Sequence, residues 1–219
     1  MPDSLMARIM PSSVAVAECW GECGQASAFP EELSAVERAV PKRRAEFARG
    51  RACAHNVLAR LGYAPAPIGR GRRGDPLWPN GIVGSITHCG SYAAAAAAPD
   101  DRFSSLGIDA EIHEPLPSGT LQIISNKEEL DMIRQLPRDG TWWGTVLFSA
   151  KESIFKAWYP IFRTWLGFGE AQVFIDSENC RFSGKVMSAV GSSGHFILEG
   201  RYRVDQGMVA TSVAVGRAR

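Results

Sequence analysis

Helices and strands are predicted in separate runs along this chain rather than in strict alternation, and this order constrains the fold most. Alternating apolar and polar residues indicate strands, whereas apolar residues at three- and four-residue steps indicate helices. Separate runs are typical of an α+β fold, and 219 residues suffice for two halves, which we predict at 1–112 and 113–219. The predicted helices are 30–62, 126–136 and 141–159, and the predicted strands are 81–88, 92–98, 105–112, 172–176, 181–189, 195–204 and 208–215.

The first predicted helix, at 30–62, carries a basic ridge. Pro41 suits a first helical turn. Arg44 and Arg51 are seven residues apart and lie on nearly the same line of the helix, and Arg43 is within a quarter turn of Arg51. Helical geometry therefore leaves open whether Arg43 or Arg44 acts together with Arg51.

Glycines and prolines dominate the segment after this helix. Residues 65–79 also contain Arg72 and Arg73, and because their composition disfavours both helix and strand, we predict a long basic loop. Further on, six successive alanines within 92–98 favour a helix by propensity. The run is short and is followed by Pro99, so we predict a strand there instead.

Two carboxylates are predicted on one face of the strand at 105–112. Alternation directs Asp109 and Glu111 to the face opposite the apolar side chains. Mg²⁺ takes such neighbouring carboxylates as ligands when it also keeps waters and substrate phosphate oxygens. On these residues alone, two solvated charges on an exposed sheet face are the alternative.

The helix predicted at 141–159, which Pro160 is expected to limit, carries charges beside a largely apolar surface. Lys151, Glu152 and Lys156 belong to it, and Glu152 and Lys156 form an i, i+4 pair in the favourable order. A surface salt bridge is the simple alternative. Because apolar residues cover most of the helix circumference, these charges need partners, which a metal ion and a polyphosphate would supply.

Composition excludes several classes of protein. A net charge of +1 with 45% hydrophobic and 21% charged residues is typical of a soluble globular chain and does not favour a nucleic-acid partner. No continuous apolar segment suits a signal peptide or a spanning helix, so we expect a cytoplasmic protein without a membrane partner. The five cysteines lack paired spacing, so free thiols are expected rather than disulfides or a zinc site.

Five motifs in a defined order make the chain similar to a known family. LGIDAE at 106–111 and FSAKESIFKAW at 148–158 come with KRRAEFARGR at 42–51, GRRGDPLWP at 71–79 and GSITHC at 84–89. Together they resemble the 4′-phosphopantetheinyl transferases. The similarity is to the large monomeric type that activates surfactin, enterobactin and mycobacterial lipid synthases, and above all to its actinobacterial members.

The resemblance implies a fold, an activity and partners. The fold would be α+β, with two similar subdomains in a pseudo-dimer and the active site at their interface. The enzyme would be a monomer that moves the phosphopantetheine arm of coenzyme A onto a serine of an acyl or peptidyl carrier protein, releasing adenosine 3′,5′-bisphosphate. Its cofactor would be Mg²⁺ or Mn²⁺. A non-catalytic coenzyme A or nucleotide-binding module and a metal-dependent phosphohydrolase are the alternatives.

The resemblance also implies roles for individual residues. Asp109, Glu111 and Glu152 would be metal ligands, and Glu152 would also be the general base. Lys156 would stabilise the leaving phosphate, with Lys151 as a second candidate. The implied catalytic residues are Glu152, Lys156 and Asp109, and the implied coenzyme A-binding positions are Arg43, Arg51, Arg73, Gly74, Asp75, Pro76, Thr87, His88, Asp109, Lys151, Glu152 and Lys156.

At some of these positions the chain differs from the family pattern, and at one of them two neighbouring arginines are candidates for the same role. Similarity to the KRR motif favours Arg43 over Arg44, and His88 is expected on the 3′-phosphate of coenzyme A. Arg73 occupies a position where many relatives have lysine, and Asp75 one where a longer or basic side chain is common. These two loop residues are the positions where the chain departs from the family pattern.

Overall fold

The computed structural model describes residues 4–21, 28–187 and 196–217, which form an α+β fold around two antiparallel sheets. None of the helices in these ranges combines the length and the apolar content needed to cross a membrane. The helices are α1 (Pro30–Ser34), α2 (Pro41–Arg60), α3 (Thr120–Ile124), α4 (Lys127–Gln135) and α5 (Trp143–Phe162). The strands are β1 (Ala15–Trp20), β2 (Gly69–Arg70), β3 (Pro76–Leu77), β4 (Ile82–Cys89), β5 (Tyr92–Pro99), β6 (Phe103–Ile112), β7 (Ala171–Asp176), β8 (Arg181–Val186), β9 (Phe196–Asp205) and β10 (Met208–Gly216).

The first sheet has the order β1-β5-β4, and its central strand β5 is the run of alanines. Alternate alanines pack in one apolar cluster with α2 and in another with β6 and the N-terminal residues 5–14. Because both faces are covered, small side chains allow α2 and β6 to lie close to the sheet. The prediction of a strand at 92–98 is confirmed, and tertiary packing here overrides the helix propensity of alanine.

The second sheet has the order β6-β10-β9-β8-β7, and α5 packs across it. Apolar side chains of α5 such as Leu147, Ile154 and Trp158 are fully buried against the sheet. Strand β6 pairs with β10 so that Asp109 lies opposite Thr211. The polar face predicted for β6 is directed towards α5, because Asp109 contacts Ser149 and Lys156 of that helix. Strand β6 and helix α5, which each carry a family motif, therefore lie together.

Side chains join the two sheets where β4 and β6 lie side by side. Ser85 Oγ accepts a hydrogen bond from the Ile108 N–H, and Thr87 Oγ1 accepts one from the Ala110 N–H, both at 3.1 Å. The two hydroxyls thereby accept hydrogen bonds from backbone N–H groups of β6 that would otherwise pair with the backbone of a neighbouring strand. Because β6 pairs with β10, it belongs to the second sheet, so the chain passes from the first sheet to the second between β5 and β6. The division into 1–112 and 113–219 stays a prediction.

The helix predicted at 30–62 is two helices, α1 and α2, separated by residues 35–40. Pro41 is the first residue of α2, as predicted. A proline lacks a backbone N–H and disfavours the helical conformation of the residue before it, and Val40 has φ −59° and ψ 151°, so a new helix begins at Pro41. This corrects the extent of the helix but confirms where its basic part begins.

The helices of the second half occur where they were predicted, with different ends. Asn126 caps α4, because its Oδ1 accepts a hydrogen bond from the Glu129 N–H at 2.8 Å. Helix α5 continues through Pro160 to Phe162, so the expectation that Pro160 limits it is wrong. The proline lies in the last turn, where it removes a single backbone hydrogen bond. Helix α3 and strand β1 were not predicted.

The loop predicted at 65–79 contains a short hairpin made of β2 and β3. Its turn is closed by a hydrogen bond from the Gly71 N–H to the Asp75 carbonyl oxygen at 2.8 Å. Gly74 adopts a φ of +87°, a left-handed conformation that glycine takes without steric cost. Gly71 and Gly74, two of the glycines that argued against a strand, therefore lie in the turn of a hairpin, whereas Gly69 begins β2.

The strands predicted in the second half are found within the described residues. Positions 188, 189 and 195, at the ends of two predicted strands, lie outside them. Cys19 is disulfide-bonded, which corrects the expectation of free thiols at that position, whereas the free cysteines of the described chain are Cys53, Cys89 and Cys180. Sequence spacing does not report whether two cysteine side chains meet at bonding distance.

Strand β6 and helix α5 lie close together at Gly107. A Cβ atom there would overlap the Ser153 carbonyl oxygen and lie 2.7 Å from the Ala157 nitrogen, both backbone atoms of α5. We expect Gly107→Ala to lower the free energy of unfolding by about 1–3 kcal/mol. The overlapping atoms belong to the backbone of α5, which, unlike a side chain, cannot adopt another rotamer to make room for the methyl group. Urea denaturation tests this, with Gly169→Ala as the control, since a Cβ at Gly169 meets no atom within 4 Å. Equal midpoints for the two variants would contradict the close approach.

Candidate active site

A cavity of about 1120 Å³ lies among α2, the β2–β3 hairpin, β4, β6 and α5. It is slightly larger than the roughly 300–1,000 Å³ of most small-molecule sites, so it suits an extended ligand. All of the predicted site residues except Lys151 line it. They are Arg43, Arg51, Arg73, Gly74, Asp75, Pro76, Thr87, His88, Asp109, Glu111, Glu152 and Lys156.

Three carboxylates face the same cavity. Asp109 and Glu111 extend from β6, and Glu152 extends from α5. Asp109 is only 4% exposed, so the alternative of solvated charges on an open sheet face is wrong. Burial, followed by the charge of Asp109, raises the pKa of Glu111 to about 7, and the same two causes raise the pKa of Glu152. Ionisation of the two glutamates is thus disfavoured, first by burial and then by the neighbouring charge of Asp109.

Lys156 supplies a positive charge next to these carboxylates. Its Nζ lies 2.7 Å from Asp109 Oδ1 and donates a further hydrogen bond to the Ile108 carbonyl oxygen at 3.1 Å. The side chain is about one quarter exposed, at 27%, and that part faces the cavity. The partner of Lys156 is therefore Asp109, a buried residue of β6. The alternative of a surface salt bridge with Glu152 within α5 does not describe this contact.

Arg51 lines the cavity and has one buried nitrogen without a hydrogen-bond partner. Its side chain is enclosed by the Gly69 carbonyl oxygen at 3.3 Å from Nη2, by Glu32 Oε1 at 3.9 Å from Nε, and by the Phe47 ring at 5.0 Å. Nη1 has no hydrogen-bond partner among the described residues. Buried donors are nearly always paired, so this nitrogen indicates an anionic group of a ligand.

Arg43 and His88 face the cavity side by side. Arg43 Nη1 lies 2.6 Å from His88 Nε2, and Glu46 Oε2 lies 3.8 Å from His88 Nδ1. Burial, together with the charge of Arg43, lowers the pKa of His88 to about 4, so the imidazole is neutral at neutral pH. The positive charge here comes from Arg43. Arg44 is exposed on the same helix and does not line the cavity.

The tip of the β2–β3 hairpin contacts the chain that follows α5. Asp75 Oδ2 lies 3.0 Å from Arg163 Nη1, and the Arg73 guanidinium lies 5.2 Å from the centre of the Trp165 ring. The hairpin thereby connects the two halves of the chain across the cavity. Arg163 and Trp165 were missed in the sequence, where no periodicity or spacing relates them to the hairpin.

Lys151 lies outside the cavity, which corrects its assignment as a coenzyme A-binding residue. Its Nζ is held by Glu129 at 2.9 Å and by the carbonyl oxygens of Phe168 at 2.7 Å and Ala171 at 2.9 Å. The side chains of Lys151 and Glu129 are both almost fully buried. Successive helix residues point about 100° apart, so Lys151 faces the protein interior while Glu152 faces the cavity.

The fold and the cavity define an α+β protein whose site gathers carboxylates, a lysine and several basic groups, an arrangement suited to a phosphate-bearing ligand. Residues 30–98 match a family model described as the 4′-phosphopantetheinyl transferase N-terminal domain. Residues 105–188 match the model of the 4′-phosphopantetheinyl transferase superfamily. The two matches in tandem correspond to two subdomains.

Curated proteins of similar sequence carry the same family name. The 4′-phosphopantetheinyl transferase PptT of Mycobacterium tuberculosis is 38% identical over 97% of this chain and 98% of its own length. Svp of Streptomyces mobaraensis is 45% identical over 85% of this chain and 78% of its own length. Npt of Nocardia iowensis is 37% identical over 94% and 97%, respectively. The chain therefore belongs to the 4′-phosphopantetheinyl transferase family of enzymes, as its motifs implied.

Proposed function

We propose that this enzyme transfers the phosphopantetheine arm of coenzyme A to a serine of an acyl or peptidyl carrier protein. The serine oxygen attacks the phosphorus that carries the arm, the pyrophosphate P–O bond breaks, and adenosine 3′,5′-bisphosphate leaves. The observation that carries this proposal is one cavity in which three carboxylates and Lys156 lie together with the basic groups of α2 and the hairpin. A monomeric state, a cytoplasmic location and the lack of a nucleic-acid partner stay predictions.

The carboxylates fit Mg²⁺, and Mn²⁺ as a related oxygen-binding ion. Within the described ranges, no three acidic, histidine or cysteine side chains already stand as a complete metal site. Mg²⁺ does not need one, because it is usually held by one or two carboxylates together with waters and substrate phosphates. Asp109, Glu111 and Glu152 would hold the ion. When bound, it supplies charge neutralisation on the pyrophosphate oxygens.

Glu152 and Lys156 take the roles of base and charge stabiliser in this proposal. The carboxylate of Glu152 accepts the proton of the carrier serine, directly or through a water. Lys156 directs its ammonium towards the same cavity and balances the charge that develops on the departing phosphate. Asp109 holds that ammonium at 2.7 Å, so Lys156 is oriented before the substrate arrives.

The basic groups would bind the adenosine and phosphate part of coenzyme A. Arg51 Nη1 is a buried donor that a phosphate oxygen would satisfy, and Arg43 beside His88 suits the 3′-phosphate. Arg73 at the hairpin tip adds a further cation. Asp75 is paired with Arg163, so we propose that it orients this arginine rather than touching the anionic ligand.

Intact-protein mass spectrometry tests the proposed function. An apo carrier protein incubated with the enzyme, coenzyme A and Mg²⁺ should gain the mass of one phosphopantetheine arm, and a chelator or removal of the acceptor serine should prevent the gain. Consumption of coenzyme A without any carrier would favour the phosphohydrolase. Binding of coenzyme A without transfer to any of several carriers would favour the non-catalytic binding module.

Arg51→Ala should weaken coenzyme A binding. Loss of charge-assisted hydrogen bonds is expected to reduce the binding free energy by about 1.5–3 kcal/mol. Isothermal titration calorimetry with coenzyme A measures this, and Arg44→Ala is the matched control, because that arginine is exposed on the same helix outside the cavity. An affinity equal to that of the control would remove Arg51 from the site.

We propose that the carrier protein docks on an apolar surface beside the carboxylates, formed by Ile112, Ile123 and Trp142. Their side chains are exposed, and Ile112 directly follows Glu111. The Trp142 N–H donates to His113 Nε2 at 3.0 Å, which holds the start of α5 next to the end of β6. The surface lies partly within residues 115–136, the region where the sequence suggested recognition of the carrier.

Ile123→Glu is expected to raise the KM for the carrier about ten-fold, which corresponds to about 1.4 kcal/mol, and to leave the KM for coenzyme A unchanged. A charge on an apolar docking surface must be desolvated when the carrier binds. Steady-state kinetics with varied carrier measures the effect. Ile197→Glu on β9, also exposed, is the control, and equal KM values for both variants would refute the docking surface.

A further inference from the structure

We propose that Ser149 and Thr211 are positioning residues that fix the carboxylate of Asp109, so that its Oδ1 faces the cavity. Neither residue is among those that the motifs assigned to the site. The inference rests on the proposed function, because it assigns the support of one carboxylate that the proposed reaction requires.

A short hydrogen-bond chain leads from β10 through α5 to β6. Ser149 Oγ lies 2.8 Å from Asp109 Oδ2. Thr211 Oγ1 lies 2.9 Å from Ser149 Oγ and donates to the Ser149 carbonyl oxygen at 2.8 Å. Ser149 and Thr211 are fully buried, so water does not compete for these bonds. The chain is therefore a fixed feature of the interface between helix and sheet.

The direction of these hydrogen bonds follows from counting protons. A carboxylate only accepts, so the single hydroxyl proton of Ser149 is donated to Asp109 Oδ2. The single proton of Thr211 goes to the Ser149 carbonyl oxygen, so Thr211 holds the backbone of Ser149. Thr211 thus supports the backbone of Ser149, the hydroxyl of Ser149 donates to Asp109, and Asp109 Oδ2 has a dedicated donor.

Asp109 needs such a donor because rotation about its Cβ–Cγ bond is not restricted to sharp rotamers. With Oδ2 held by Ser149, Oδ1 is left on the side of Lys156, whose Nζ lies 2.7 Å away, and of Thr87 Oγ1 at 3.4 Å. Oδ2 of Asp109 is therefore held by Ser149, and Oδ1 is left to face the cavity. Partners of this kind orient metal-binding carboxylates in other proteins.

Ser153, one helical turn further along α5, provides the contrast. It is also fully buried, but its Oγ donates to the Ala150 carbonyl oxygen of its own helix at 2.9 Å. A buried helical serine can satisfy its hydroxyl locally in this way. Ser149 instead directs its hydroxyl out of the helix to Asp109. The two serines thus provide a matched pair in which only one supports the site.

Metal binding by the whole protein without coenzyme A or carrier tests the inference. Mn²⁺ is titrated into wild type, Ser149→Ala and Ser153→Ala, with free Mn²⁺ measured by electron paramagnetic resonance, and urea denaturation is recorded for each. We expect roughly ten- to one-hundred-fold weaker Mn²⁺ binding for Ser149→Ala, and wild-type binding for Ser153→Ala. Thr211→Val should weaken binding in the same direction, whereas Thr211→Ser keeps the hydroxyl and should match wild type.

Equal Mn²⁺ affinities for Ser149→Ala and Ser153→Ala, in a wild type that modifies a carrier, would overturn the positioning role and leave the proposed function standing. If Ser149→Ala does not fold, the comparison of Thr211→Val with Thr211→Ser decides in its place, and equal affinities of those two would also overturn the inference. A wild type that neither binds Mn²⁺ nor modifies a carrier would overturn the proposed function and the inference with it.

Discussion

Glu152→Gln is expected to reduce transfer of the phosphopantetheine arm by roughly 10²–10⁴-fold or more, while the protein stays folded. The amide is nearly the same size as the carboxylate but cannot accept the proton of the carrier serine, and it is a weaker ligand for Mg²⁺. Asp109→Ala should have a comparable effect, because it removes a proposed metal ligand and the partner of Lys156 at once. Arm transfer measured over time by intact-protein mass spectrometry gives the rates.

The control for this prediction is Glu178→Gln, which makes the same chemical change at an exposed residue that does not line the cavity. Coenzyme A affinity and the urea midpoint of Glu152→Gln should stay close to the wild-type values, since the basic groups of α2 and the hairpin are untouched. Near-normal turnover of Glu152→Gln would exclude Glu152 as the base and as a required ligand.

Relations within one element were predictable from the sequence. The period of two in a strand predicted that Asp109 and Glu111 share a face of β6, and the i, i+4 relation predicted the same for Glu152 and Lys156 on α5. Both depend only on backbone geometry. The presence of all four residues on one cavity was implied by the family resemblance, because geometry within an element does not report which elements face each other.

Contacts between elements could not be predicted. The pair Asp75 and Arg163 is separated by 88 positions, and the hydroxyls of Ser149 and Thr211 by 62. Neither pair has a spacing rule, because the distance between such residues is set by how the sheets and helices pack. The alanine strand β5 is the opposite case, in which the local propensity was misleading and the short flanked length of the segment was the better guide.

Lys151 illustrates how a motif can combine two different roles. In AKES the lysine and the glutamate are adjacent, which made both candidates for the same site. Adjacent helix residues do not face the same way, and the structure directs only Glu152 to the cavity. Lys151 instead holds helix α5 to Glu129 on α4 and to the chain around Phe168. We infer that it supports the fold of the second half rather than substrate binding.

Lys151→Met is expected to lower the free energy of unfolding by about 3–5 kcal/mol, because it leaves the buried charge of Glu129 without its ionic partner. Glu129 is 1% exposed and keeps two backbone donors, the Val173 N–H at 2.7 Å and the Asn126 N–H at 2.9 Å, which only partly compensate the charge. Removing both members of a buried pair is often close to neutral, so Lys151→Met combined with Glu129→Gln should recover most of the loss. Urea denaturation of the four proteins of this double-mutant cycle measures the coupling.

The same variants separate support of the fold from substrate binding. If Lys151 acts only through Glu129, the folded Lys151→Met protein, at a temperature well below its midpoint, should bind coenzyme A with the wild-type affinity. A phosphate-binding lysine would behave in the opposite way, since its loss would weaken coenzyme A binding and leave the urea midpoint nearly unchanged. Because Nζ already has a carboxylate and two carbonyl oxygens as partners within the protein, all three of its donors are used, and none is left for a phosphate.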